Sequence, residues 1–266
     1  MPVRPALLLA AVVLAAAVSA APASAARLAP PGTGADRVAL ASASGGRAVL
    51  AWNVHGAPGD AVQIAQLAPG SGFAGGQTAL QAPTVLAPAA AALDPSGGAQ
   101  VLAATGVRAN LPTQLVAARR AGATGMFGTP ALVGTGSFVQ IVSAAANARG
   151  DLAAVVATGP RHAVLVTAPS GGAFGAPQDI NPGGLADTAA VGLGPNGALV
   201  VAYYDGVSRA LVRRGAIGGA LGAPQALAQV RNRPDFSAAI DDAGTATVAF
   251  GRSLGRDGIG LSLIHI

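Results

Sequence analysis

The sequence predicts an all-β protein assembled from repeated antiparallel sheets, and three observations predict it. A glycine-centred turn recurs at Gly46, Gly98, Gly150, Gly197 and Gly244, with spacings of 52, 52, 47 and 47 residues. A second marker keeps step with it: Phe127-Gly128-Thr129-Pro130, Phe174-Gly175-Ala176-Pro177 and Leu221-Gly222-Ala223-Pro224 lie 47 residues apart, after a degenerate copy at Phe73-Ala74-Gly75-Gly76. The composition also works against helices: all 16 basic residues are Arg and all 11 acidic residues are Asp, so the charged helix formers Lys and Glu are missing, while Gly reaches 38.

Residues 1–25 read as a secretory leader. Arg4 supplies the basic start, an apolar run of about 13 residues follows, and Ala23-Ser24-Ala25 gives the small-residue pattern cut by signal peptidase. The run is short of the roughly 20 residues that span a bilayer, so no membrane span is expected once the leader is removed. The protein is therefore expected to be secreted or held at the cell surface. With no Cys there is neither a disulfide framework nor a lipobox thiol for a lipid anchor. Residues 26–34 read as a flexible lead-in.

Each repeat from residue 35 onward reads as strand, tight turn, apolar strand, loop, third strand, corner and fourth strand. The turns carry their own chemistry: Asp94-Pro95-Ser96-Gly97, Gly194-Pro195-Asn196-Gly197 and Asp241-Asp242-Ala243-Gly244 combine a side chain that bonds its own backbone with a glycine free to adopt positive φ. The strand after each turn is apolar at nearly every position, as in residues 151–157 and 198–203. A sheet with one wet face would alternate, so both faces are expected to be covered by neighbouring sheets. The sixth residue after each turn glycine is Trp52, Ala104, Val156, Tyr203 and Phe250, an apolar slot expected in the core between sheets.

A period of 47–52 residues with four strands per repeat is that of a β-propeller blade. The expected blades span 35–87, 88–140, 141–186 and 187–235, with a fifth, partial one at 236–260. An incomplete ring of about four and a half blades is therefore expected. Residues 261–266 break the Ala/Gly/Arg style and match the in-frame translation of a common transposase sequencing adapter, so they are expected to be a non-native tail.

The turn segments DPSGGAQVLAA, APSGGAFGAPQDI and DDAGTATVAF resemble the repeat of secreted actinobacterial proteins and are similar in plan to the sialidase-like propellers with BNR, or Asp-box, repeats. The resemblance covers most of residues 35–260 and implies fold and export. The Asp-box pattern S-x-D-x-G-x-x-W itself is met in none of the copies.

Candidate chemistry is sparse. Apart from His265, only His55 and His162 are present, both expected in exposed loops after the second strand of their repeats, and no G-x-S-x-G elbow accompanies them. A sialidase site would pair its Tyr nucleophile with Glu, which this sequence lacks. No catalytic, metal or cofactor-binding residue is assigned, since neither zinc-ligand nor calcium-loop spacing is met. Tyr203-Tyr204-Asp205 ends a strand at a loop, with one Tyr expected buried and the other exposed. Arg119-Arg120 and Arg213-Arg214 occupy equivalent places, expected to be on exposed outer strands. Tyr204, Asp205, Arg213 and Arg214 are thus the candidate surface contacts. The formal charge of +5 is scattered, with no basic patch or interleaved aromatics, so no nucleic-acid partner is expected.

The function these features favour is an exported propeller scaffold that binds a glycan, a cell-wall polymer or a protein, without catalysis by the residues present. The alternative is a fragment of an exported sialidase-like glycoside hydrolase or lyase whose active site lies partly in further blades. A third reading is a surface repeat protein with an anchor or second domain beyond residue 260.

Overall fold

The computed structural model of the protein describes residues 34–56, 59–85, 89–106, 113–136, 140–159, 161–186, 188–230, 233–253 and 259–266. The expected leader, residues 1–25, and the lead-in as far as residue 33 lie outside them. The described residues are all-β apart from one 3-10 turn at Ser44–Gly46.

They form antiparallel sheets in chain order. The first sheet holds β1 (Gly34–Ala43), β2 (Arg47–His55), β3 (Asp60–Leu67) and β4 (Gln77–Ala82). The second holds β5 (Ala90–Leu93), β6 (Ala99–Thr105), β7 (Thr113–Arg120) and β8 (Ala131–Gly136). The third holds β9 (Gln140–Ala146), β10 (Leu152–Gly159), β11 (His162–Ala168) and β12 (Gln178–Asp179). The fourth holds β13 (Ala189–Leu193), β14 (Ala198–Tyr204), β15 (Arg209–Ala216) and β16 (Gln225–Gln229). The last has three strands, β17 (Phe236–Ile240), β18 (Ala246–Ser253) and β19 (Ile259–His265). Each sheet is a meander, and the first strands of successive sheets, β1, β5, β9, β13 and β17, lie against one another.

The core is divided between the sheets. Val49, Ala51, Val62 and Ile64 meet Leu93, Val101 and Ala103 between the first two. Leu102 and Leu115 meet Leu152 and Val156 across the next junction. Val155 and Leu165 then meet Val201 and Tyr203, and Val200 and Val212 meet Val248 and Phe250. This is why the second strands are apolar throughout: every residue of β6 is buried, odd positions facing one neighbour and even positions the other.

The turn register differs from the sequence expectation in one repeat. The glycine with φ near +85° that donates its amide to the carbonyl three residues back is Gly97, matching Gly150, Gly197 and Gly244. The aligned glycine is therefore Gly97 and not Gly98, and the spacings become 51, 53, 47 and 47. The slot residue of that repeat is then Ala103, which faces the first sheet as Val156, Tyr203 and Phe250 each face the sheet before them. Two adjacent glycines hid this, because either tolerates positive φ and both strand faces are apolar.

The corner marker is a bonded feature. The amides of Ala74, Gly128, Gly175 and Gly222 donate to the carbonyls of Gln66, Arg119, Thr167 and Arg214 at 2.7–2.9 Å, turning the chain from third strand to fourth.

In the last sheet three strands stand where two were expected, because residues 261–266 extend β19 along the edge of β18, with Phe250 opposite Ser262 and Val248 opposite Ile264. An open sheet edge accepts any extended apolar segment, so this pairing reflects the edge of β18 as much as the origin of the segment. Leu261 and Leu263 on its other face are exposed.

Gly150 is the most constrained turn glycine. Its φ is +90°, and a Cβ there would stand 2.7 Å from Asp94 Cα in the neighbouring sheet, whereas Gly244, at φ +86°, has open space around it. Gly150→Ala is expected to cost about 2–4 kcal/mol and Gly244→Ala about 1 kcal/mol, as strain at positive φ is common to both and the collision is not. Urea unfolding of the two variants checks the order.

Candidate binding cleft between the second and third sheets

At the turn rim, each sheet is tied to the next by a side chain that donates to a turn carbonyl. Gln66 Nε2 donates to Gly97 O at 3.1 Å, Gln100 Nε2 to Gly150 O at 2.6 Å, Asn147 Nδ2 to Gly194 O at 3.0 Å and Arg214 Nη2 to Gly244 O at 3.1 Å. Each donor reaches a turn carbonyl at the rim of the next sheet, three of them on positive-φ glycines, Gly97, Gly150 and Gly244, and the fourth on Gly194, whose oxygen also accepts the Gly197 amide.

Beside the second of these ties lies a cleft of about 260 Å³, lined among others by Asp94, Ser96, Gln100, Arg119, Gly150 and Gly171. Gln100 on β6 and Arg119 on β7 stand directly opposite each other in the antiparallel register. Both reach the third sheet, since Arg119 Nη1 donates to Gly171 O at 3.1 Å while Gln100 is held by Gly150. Gln100 is only 5% exposed. Two of their atoms, Gln100 Oε1 and Arg119 Nη2, are buried with no hydrogen-bond partner. A buried polar atom left unpaired costs about 1–3 kcal/mol, so these two atoms are a local cost of the junction.

Arg120 points the other way. It donates to Gln77 Oε1 at 2.6 Å and to Gly97 O at 3.1 Å, and its guanidinium lies 5.5 Å from the centre of the Phe127 ring. Burial lowers its pKa from the ordinary guanidinium value, with the Asp94 charge opposing.

The Arg pairs therefore differ from their expected setting. They lie on third strands, inside the sheets, and the two members of a pair reach opposite neighbours. Arg213 donates to the carbonyls of Asp179, Ile180, Leu221 and Gly222, and Arg214 to Gly244. Four carbonyls around one guanidinium make Arg213 a bridge between the third and fourth sheets.

Tyr203, Tyr204 and Asp205 are all buried, at 0%, 5% and 6% exposure, where one exposed Tyr was expected. Strand β14 is covered on both faces, so adjacent residues enter different cores: Tyr203 the one toward the third sheet, Tyr204 the one toward the fifth. Tyr204 Oη donates to Val207 O at 2.7 Å. Asp205 Oδ1 accepts the amides of Val207, Ser208 and Arg209 at 2.8–3.0 Å, and Oδ2 accepts Arg209 Nε at 2.8 Å. Burial alone would raise the Asp205 pKa, but these donors outweigh it and hold the carboxylate at about 2.

The histidines are half-exposed and fall on strands instead of in loops. His55 ends β2 and its Nδ1 lies 3.0 Å from Asp60 Oδ2; His162 opens β11 with Nε2 3.1 Å from Asp179 Oδ2 and Nδ1 bonded to Thr158 Oγ1. Both ring nitrogens are thus engaged, one by a carboxylate and the other by a hydroxyl. The arrangement ties the β10–β11 hairpin to β12. Among the described residues no three His, Cys, Asp or Glu side chains gather as a metal site, and no helix is long and apolar enough to cross a membrane.

No protein-family model matches the chain, and no curated protein matches it. Solved structures do. An α-L-arabinanase of Penicillium chrysogenum complexed with arabinobiose superposes with a TM-score of 0.51 at 12% identity, over 85% of this chain and 80% of its own. The BP39L lectin of Burkholderia pseudomallei gives 0.52 at 14% identity over 86% and 70%. The NanB sialidase of Streptococcus pneumoniae gives 0.51 at 9% identity over 90% and 60%, so the chain spans well under two thirds of that enzyme. At these identities the likeness is one of fold, and the fold is a β-propeller of antiparallel blades.

Proposed function

We propose that the protein is an exported β-propeller scaffold that binds carbohydrate in the cleft between its second and third sheets, with no catalytic role for the described residues. The observation that carries this reading is the cleft of about 260 Å³ itself, walled by the polar residues Asp94, Ser96, Gln100 and Arg119. A sugar presents hydroxyls that can bond to such side chains. A lectin and two carbohydrate-active enzymes among the fold's neighbours support the ligand class, and the leader-like residues 1–25 support export.

A glycan array probed with the protein and with Arg119→Ala tests it. Retention on a defined set of glycans is expected, falling about tenfold in the variant, the worth of one charged donor. Retention unchanged in Arg119→Ala would move the site elsewhere. The alternative, a fragment of a sialidase-like hydrolase or lyase, is favoured by the arabinanase and sialidase folds, and release of reducing sugar from the retained glycans would establish it.

A further inference from the structure

We propose that the outer face of the first sheet is an assembly surface, and that its occupant is the last sheet of a second copy of this chain, packed head to tail.

Each internal junction sets the forward face of one sheet against the backward face of the next, and the same register positions recur at each. On the backward face, the first-strand residue opposite the fourth position after the turn glycine is Ala91 in the second sheet, paired with Val101, and Val191 in the fourth, paired with Val201. Both are covered, at 6% and 4% exposure. The equivalent in the first sheet is Leu40, paired with Leu50, and it is 52% exposed, with Val38 two residues before it at 63%. Trp52, on the same face, lies under its own sheet's corner: a Cβ on Gly76 would stand 2.9 Å from its ring. Among the described residues no sheet stands in front of this face.

The last sheet presents the complementary half. On forward faces, the first-strand residue opposite the third position after the turn glycine is Ala92 in the second sheet, paired with Gln100 and fully buried. Its equivalent in the last sheet is Ala239, paired with Thr247, and it is exposed. The fifth position after the turn glycine is Ala51, Leu102, Val155 and Ala202 in the first four sheets, each buried against the sheet that follows. In the last sheet it is Ala249, which is half-buried. Leu261 and Leu263 extend this face across β19, opposite Gly251 and Ala249, and β17 and β18 already carry the pattern without them.

The two faces are the halves of one further junction. Both are exposed in the same molecule, so the chain's own last sheet does not cover its first. The last sheet of another copy carries the forward pattern that every backward face in this fold meets. Such a contact uses a different surface on each partner, so copies add until they close into a ring or extend as a filament.

Light scattering after size exclusion, over a concentration series, tests the proposal with the protein and two variants at exposed positions. The wild type is expected to run as an assembly that grows with concentration. Leu40→Arg and Ala239→Arg are each expected to weaken it about a hundredfold and to run as monomers, since each would bury a guanidinium without a partner. Mixed in equal amounts, the two are expected to give a dimer and nothing larger, because each keeps the face that the other has lost; the same result shows that both variants fold. A monomeric wild type would overturn the proposal and leave the faces to a different protein or to further repeats of a longer chain. Association of Ala239→Arg alone would pair the first sheet with itself, and association of Leu40→Arg alone would pair the last sheet with itself. Either result, or a mixture that stays monomeric, would overturn the head-to-tail contact.

Discussion

Tyr203→Ala is expected to lower stability by about 3–5 kcal/mol. Tyr203 is fully buried, pairs with Ala189 and Leu211 on either side, and packs among Val155, Leu165 and Val201 where the third sheet meets the fourth. The cavity would open between two sheets whose other contacts are mostly Ala, Val and Leu, side chains too short to fill it. Burial raises the pKa of the phenol, as Asp205 does, while Arg213 and Arg209 oppose, so the group stays neutral throughout the physiological range. Its hydroxyl makes only a 3.5 Å contact with Asn181 Oδ1. Tyr203→Phe is therefore expected to cost less than about 1 kcal/mol. Urea midpoints at constant m-value separate the two variants. A loss below about 1 kcal/mol in Tyr203→Ala would contradict the placement of the core between sheets.

Acid is expected to act through Asp205. The carboxylate titrates at about 2 in the folded chain against 3.8 for the free group. A depressed folded pKa contributes stability that is complete above the unfolded value and is lost as pH falls through the folded one, so the loss runs from about pH 4 down to about pH 2 and amounts to about 2 kcal/mol. Asp151 acts in the same direction. Burial works to raise its pKa, but the bonds from Asn147, the Ser170 amide and Arg149 outweigh that and lower it. Asp205→Ala is expected to cost about 3 kcal/mol at pH 7, since three amides and a guanidinium lose their acceptor. Asp205→Asn keeps an oxygen for the amides and is expected to cost less while flattening the acid limb. Thermal melts from pH 7 to pH 2 read both outcomes, and an unchanged acid limb in Asp205→Asn would assign the loss to other carboxylates.

Much of this architecture was legible because a propeller writes its period into its turns. The Asp-Pro-Ser-Gly and Gly-Pro-Asn-Gly tips, the Gly-Ala-Pro corners and the uninterrupted apolar second strands each follow from a local requirement, and each recurs. Legibility ended where the requirement was not local. Gly97 and Gly98 are equally able to turn, and only the bond to Asp94 O selects the first. Tyr204 and Asp205 looked exposed because a strand was ending, yet the loop folds back on the carboxylate and covers it. The cleft was invisible for a similar reason. Gln100 and Arg119 are separated by a loop, and nothing in either segment declares the register that sets them opposite each other. One sign was present: Gln100 is a polar side chain inside the apolar run of β6, where both faces must be buried. Such a residue needs a partner across a sheet junction, and asking for that partner leads to the carbonyl of Gly150.

The most direct test of the account is amide chemical-shift mapping of the protein titrated with a sugar that binds on the array. Shifts confined to Gln100, Arg119, Gly150 and Gly171, the two walls of one sheet junction, are the predicted result. Shifts gathered instead on the first strands β5, β9 and β13, which lie against one another, would contradict the cleft.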